Sequence, residues 1–215
     1  MKGFGKPFKT FVFFFTPVLF LVSFPAGESR ATTLEGRVDI RSSAGHPNYY
    51  LAQAGSSYPR NPSSAYLGEY YRDQDKGFTI RPPGQWLLNK RHPRFAVMFS
   101  SMAYDAYIIV DVLPVPTPVL IDKEFTKFIS EKNKEVKSTI PSFQVLSNRK
   151  VKLKGLSGYR TDAVFTAGPN RVLMSIYYIP AKTRIFMITT ICPEATAQQW
   201  EPLLDSSLRT FSPLE

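Results

Sequence analysis

Hydrophobic and polar positions change rhythm along the chain. Residues 11–24 form an apolar run broken only by Thr16, Pro17 and Ser23, whereas residues 32–67 keep no apolar period for more than a few positions. From Glu69 onward the pattern is regular enough to predict elements. Residues 69–72 and 78–81 flank Asp73-Gln74-Asp75-Lys76-Gly77, a hairpin signal in which Gly77 supplies the positive φ that such turns often need. Pro82-Pro83-Gly84 stops the second strand, and Trp86 follows as a large apolar anchor expected under the sheet. Residues 94–101 align Phe95, Val97 and Phe99 on one side, and residues 105–113 align Ile108, Val110 and Val112, so both read as strands. A Pro-rich crossover over 114–118 leads to Asp122, a good N-cap. A helix to about Lys137 follows, with Phe125, Phe128, Ile129 and Val136 on one face and Lys and Glu on a solvated face.

The second half predicts an antiparallel meander over residues 143–153, 158–167, 171–179 and 184–191, with turns at Gly155 and at Gly168-Pro169-Asn170. Val172, Met174, Ile176 and Tyr178 share one face of their strand, and Ile185, Met187, Thr189 and Ile191 share one face of theirs. Leu173, Phe186 and Ile188 make the opposite face apolar as well. A sheet apolar on both sides needs a cover on both sides. The last helix supplies one: Pro193 suits its first turn, Glu194 its positive end, and Trp200, Leu203, Leu204, Leu208 and Phe211 form its stripe.

The first residues add an expectation about location. Lys2, Lys6 and Lys9 precede the apolar run in the manner of an export signal. Pro17 and a length short of the ~20 apolar residues of a spanning helix favour a cleaved leader over a permanent anchor. Small residues are needed one and three positions before the cut, which Ser29-Arg30-Ala31 provides and Phe24-Pro25-Ala26 does not. Residues 1–31 are therefore read as a signal peptide, and a lipid anchor is excluded because no cysteine lies near the site. Residues 32–67, rich in Ser, Gly, Pro, Ala and Tyr, bury too little apolar surface to offset ordering entropy and read as a flexible lead-in. Its tyrosines, Tyr49, Tyr50, Tyr58 and Tyr66, are available for stacking on a partner, though sticky disorder explains them without one. Residues 68–215 form the single domain, and the working location is extracytoplasmic.

Charge narrows the partner class. The 215-residue chain carries a net charge of +10, and about +7 remains after residues 1–31 are removed. This balance favours acidic proteins or lipid headgroups; nucleic acid is not expected for an exported domain without an interleaved aromatic platform. Lys150, Lys152 and Lys154 alternate along one strand, and Lys90, Arg91 and Arg94 crowd one loop. Both are candidate partner-binding surfaces, although lysines on an edge strand also block aggregation.

Catalytic and metal signatures give way to structural readings. Cys192, the only cysteine, excludes an intramolecular disulfide and reads as a small buried hydrophobe beside a helix start. A Ser-His-Asp triad would have to use His46, in the lead-in, or His92, in the loop Lys90-Arg91-His92-Pro93-Arg94. Gly155-Leu156-Ser157-Gly158 lacks the spacing of a nucleophile elbow and reads as a hairpin turn. Asp73, Asp75 and Gly77 mimic the start of a calcium loop, but Phe78 and Gly84 stand where Gly and Glu are required. One cysteine and two distant histidines make a poor zinc set. No catalytic residue, cofactor or metal ligand is assigned.

Tyr70-Tyr71-Arg72-Asp73, Gly77-Phe78-Thr79-Ile80, Pro82 or Pro83, and Trp86 together resemble the opening of the PsbP domain, the extrinsic oxygen-evolving-complex family of photosystem II. The ending also resembles that family: a strand over 184–191, a helix bearing Trp200, and Thr210-Phe211. The resemblance runs over residues 70–214. It implies an α+β fold, an α/β sandwich with a central antiparallel sheet flanked by helices, as also found in envelope proteins of the DcrB type and a Ran-binding nuclear import factor. It further implies a bacterial exported accessory or assembly protein that binds a membrane-associated complex and performs no turnover. The competing class is an envelope small-ligand carrier or enzyme.

Overall fold

The computed structural model describes residues 66–90, 95–101, 106–115 and 123–214. The leader at 1–31 and all but the last two residues of the lead-in at 32–67 lie outside the described residues. Among the described residues, pairing already involves the last two of that lead-in: Gly84 N–H donates to Tyr66 O at 2.6 Å, and Leu67 bridges Pro83.

The opening hairpin folds as its pattern predicts, with β1 (Tyr71–Asp73) antiparallel to β2 (Phe78–Ile80). Gly77 closes the turn at φ 73°, donating its N–H to Asp73 O at 2.9 Å. The Asp73 carboxylate serves this turn, accepting from Lys76 N at 2.9 Å and from the Tyr71 hydroxyl at 3.1 Å. A side chain at position 77 would collide with the Arg184 guanidinium, which itself donates to Lys76 O at 2.6 Å.

Two strands were not visible in the periodicity. β3 (Leu87–Asn89) has three residues and β10 (Ser212–Pro213) two, too few to display alternation. β10 pairs with β2, so the far end of the chain completes a three-stranded sheet, β1-β2-β10. Between them come β4 (Val97–Ser101), β5 (Ala106–Pro114), β6 (Gln144–Leu153), β7 (Leu156–Ala167), β8 (Asn170–Ala181) and β9 (Arg184–Pro193). With β3 they form a seven-stranded antiparallel sheet of order β3-β4-β5-β9-β8-β7-β6. The class is α+β.

Period-two alternation sends the side chains of the inner strands β5, β9 and β8 into two separate cores. One contains Val97, Phe99, Ile108, Val110, Tyr177, Ile179, Phe186 and Ile188, packed with Phe78 and Ile80 of the small sheet and with α2 (Ala197–Leu208) through Trp200, Leu203, Leu204 and Leu208. The other contains Met174, Ile176, Tyr178, Ile185 and Ile191, packed with Phe125 and Ile129 of α1 (Lys123–Thr139). This is the two-sided burial expected from the apolar character of both strand faces. Lys132 departs from the expected solvated face of α1: it is buried, pairs with Glu135 at 2.8 Å and lies 5.8 Å from the Phe128 ring centre.

Two boundary expectations are corrected. Pro193 ends β9 instead of opening the last helix; a 3-10 turn, Glu194–Thr196, intervenes and α2 starts at Ala197. Glu194 accordingly pairs with Arg171 at 2.9 Å. The turn expected over Gly155–Gly158 comprises only Lys154 and Gly155, with φ 50° and 85°, and Leu156 already belongs to β7.

Candidate functional site

β6 is the outermost strand of the large sheet, and its alternation has two destinations. Val151 and Leu153 face the core shared with α2, which puts Arg149 on that side. Asn148 faces α1 and accepts from Asn133 Nδ2 at 3.4 Å, which puts Lys150 and Lys152 on the α1 side. Lys154 is not on the strand: its φ of 50° places it in the turn. Lys150, Lys152 and Lys154 are exposed, and no carboxylate among the described residues lies within 4.0 Å of them. Arg149 is 57% exposed and reaches Asp162 Oδ2 at 3.4 Å.

The second basic group is described only in part. Lys90 is exposed just beyond β3, with its ammonium 4.8 Å from the Tyr71 ring centre. Arg91 and Arg94 lie outside the described residues, as do His46 and His92.

A polar network missed in the sequence runs inward from β6. Asp162 on β7 accepts from Arg160 Nε at 2.5 Å and from Ser175 Oγ at 2.7 Å through Oδ1, and from Ser147 Oγ at 2.9 Å through Oδ2. Arg160 also donates to Ser175 Oγ at 3.1 Å, and its guanidinium lies 5.1 Å from the Tyr177 ring centre. Tyr177 donates its hydroxyl proton to Asp205 Oδ1 at 3.2 Å, which ties β8 to α2. Burial opposes the Asp162 charge, but the hydrogen bonds from Ser175 and Arg160, the Arg160 charge and Ser147 outweigh it and hold this carboxyl below its ordinary value.

The neighbouring acids are shifted away from proton transfer. Burial, then the Asp205 carboxylate, pushes the Tyr177 phenol well above its ordinary value. Burial, then Glu201, pushes the Cys192 thiol up to about 12, so it is protonated at neutral pH. Each oxygen of Asp162 is already engaged, which makes the network a clamp between β6, β7, β8 and α2. Among the described residues no group of three His, Cys, Asp or Glu side chains converges to hold a metal ion.

The chain matches no family model and no curated protein. Solved structures do match it. Cyanobacterial PsbP (CyanoP) from Synechocystis sp. PCC 6803 superposes with a TM-score of 0.55 at 16% identity, covering 76% of this chain and 98% of that one. The chain has a PsbP-like fold. Lower similarity links it to PA94 of Pseudomonas aeruginosa, a protein of unknown function described as a putative regulator (TM-score 0.46, 13% identity, 70% of this chain and 99% of that one). It is likewise similar to LpqN, involved in cell envelope biogenesis of Mycobacterium tuberculosis (TM-score 0.44, 11% identity, 68% and 90%).

In this PsbP-like fold several of the residues that carried the resemblance, Phe78, Ile80 and Trp86, belong to the core. Tyr71 and Phe78 sit on the opening hairpin with ring centres 5.9 Å apart, and Trp86 packs 6.2 Å from Trp200 of α2. The network did leave a readable signal. Two-residue turns at 154–155, 168–169 and 182–183 fix the register so that Ser147, Asp162, Ser175 and Thr190 fall in one row across four strands. A carboxylate in the middle of an interior strand, with hydroxyls on both neighbours, marks a satisfied polar crossing.

Proposed function

We propose that this chain is an extracytoplasmic, non-enzymatic accessory protein that docks a basic surface on an acidic, membrane-associated complex. The observation that carries the proposal is the outer strand β6: it displays Lys150 and Lys152, with Lys154 at its turn, none paired with a carboxylate of the described residues. Unpaired cations on an accessible edge attract an acidic partner through a long-range, salt-screened field. The PsbP-like fold supports this reading, as does the export-type leader, and packing of α1 and α2 in the two cores of the large sheet supports the α/β sandwich expected of that group. No helix of the described residues is long and apolar enough to cross a membrane.

Pull-down from the native envelope tests the proposal. A specific partner should be retained at low salt and released at high salt, and the mature chain should begin at Thr32. Reversing Lys150, Lys152 and Lys154 to Glu, or Lys90, Arg91 and Arg94 to Glu, should abolish capture, and the set that does so locates the surface. Capture unaffected by both reversals and by salt would overturn it.

A groove of about 540 Å³, open to solvent, favours a second reading as a small-ligand carrier. It lies between the small sheet and the β8–β9 turn and is lined in part by Leu156, Arg184, Phe186 and Leu214. A ligand screen that raises the melting temperature would support it, and the absence of any shift would count against it.

A further inference from the structure

The backbone of β6 carries the docking argument one step further. In a two-residue hairpin the residues flanking the loop exchange backbone hydrogen bonds, so Leu153 and Leu156 form a bonded pair across Lys154-Gly155. In an antiparallel ladder bonded and non-bonded pairs alternate. Val151 with Gly158 and Arg149 with Arg160 are therefore bonded pairs, whereas Lys152, Lys150 and Asn148 stand opposite Ser157, Tyr159 and Thr161 in non-bonded pairs. The N–H and C=O groups of Asn148, Lys150 and Lys152 consequently point away from β7, along an edge that no other strand of the described residues covers. Two of them, Lys150 and Lys152, carry the lysine side chains that no carboxylate of the described residues pairs.

We infer that β6 is a strand-addition site for an extended acidic peptide segment of the partner, with acidic side chains at alternate positions. The inference rests on the accessory reading and specifies how its partner binds. Backbone bonds to Asn148, Lys150 and Lys152 supply the pairing, and Lys150 and Lys152, about 7 Å apart on one face, select carboxylates spaced by two residues. The register shift between Val145 and Ser147 interrupts the edge on one side and the turn at Lys154 ends it on the other, so the usable ladder is short.

Charge decides among possible occupants. A second copy of β6 would bring lysines against lysines. The lead-in at 32–67 has Glu35 and Asp39 against Arg37, Arg41 and Arg60, so it offers no acidic complement. The opposite edge of the sheet, β3, has only three residues.

The test uses the full chain and a blocked peptide with Glu at alternate positions separated by Val and Thr. Titration at low salt should show saturable binding with amide shifts concentrated on residues 147–153. A peptide of the same composition with its glutamates clustered should bind at least about fivefold more weakly, as should one N-methylated at the alternate bonding amides. Lys150→Glu with Lys152→Glu should abolish binding. Lys150→Pro and Lys150→Ala remove the same charge, but only Pro removes the outward N–H, and it is tolerated at an open edge. Pro should therefore weaken binding about fivefold beyond Ala. No binding of the alternating peptide overturns strand addition. Equal affinity for the clustered and N-methylated peptides also overturns it, while salt-sensitive capture of a native partner would leave the accessory reading standing. A dimer dispersed by Lys150→Pro would overturn the assignment of an acidic partner in favour of self-pairing.

Discussion

Removal of the Asp162 carboxylate tests whether the inward network is a clamp. Asp162→Ala leaves Arg160, whose side chain is 15% exposed, without its shortest partner, and leaves the Ser147 and Ser175 hydroxyls without their acceptor. Breaking a fully buried pair costs about 3–5 kcal/mol. Here Asp205 remains 3.9 Å from Arg160 and water reaches the network's outer side, so the expected loss is about 2–3 kcal/mol, a large share of a domain's stability. Asp162→Asn keeps the shape and one acceptor and should lose about 1–2 kcal/mol. Replacing both ions, as in Arg160→Met with Asp162→Leu, should recover much of the loss.

Urea unfolding followed by fluorescence reads these effects directly, because the only two tryptophans, Trp86 and Trp200, are buried together in the core beneath α2. Acid supplies a second readout. The folded protein holds the Asp162 carboxyl below its ordinary value, so its stabilisation is complete above about pH 4 and is lost as pH falls through the lower folded value. The gap between wild type and Asp162→Asn should therefore narrow in acid. A loss below about 0.5 kcal/mol for Asp162→Ala, or a gap as wide near pH 3 as near pH 7, would refute the clamp.

Gly158→Ala should destabilise the domain by about 1–3 kcal/mol, because the added methyl would lie 2.6 Å from the backbone oxygen of Tyr178, which cannot swing aside; a calorimetric scan checks it. Tyr178→Phe should be neutral or stabilising by up to about 1 kcal/mol, since this buried hydroxyl has no hydrogen-bond partner among the described residues; a marked loss in urea would reveal one. Cys192 should resist a thiol-specific reagent at pH 8 in the native state and react on unfolding, as expected of a buried thiol pushed up to about 12. Rapid native labelling would contradict its placement.

Most of the fold was legible because long strands display their alternation. On β8 and β9 the odd and even positions part into two cores as the pattern predicted, and the stripe of Trp200, Leu203, Leu204 and Leu208 faces the sheet. The two short strands were not legible: β3 has all three side chains exposed, and β10 is a two-residue pairing with β2 that follows the buried Phe211. Pro193 was assigned to a helix start from its local preference, whereas pairing with Val172 keeps it on β9. The lysines of β6 were visible as an alternation, but their edge position depends on the order of strands. The network was harder to see because Ser147 and Ser175 lie 15 and 13 residues from Asp162 in sequence and meet it only once the hairpins set their register.

A ten-residue outer strand is a hazard unless something limits its pairing, since a row of free N–H and C=O groups templates any compatible strand. On β6 the limits are the register shift near Leu146, which is itself 55% exposed, and the lysines at 150 and 152. The protective and binding roles of these lysines are therefore one property: their charge repels a like strand and attracts an acidic one. Lys150→Ser with Lys152→Ser keeps the backbone edge while removing that charge, so loss of acidic-peptide binding should be accompanied by new self-association, measured by sedimentation. A neutral edge that lost its peptide yet stayed monomeric would separate the two roles and place protection in the bulge alone.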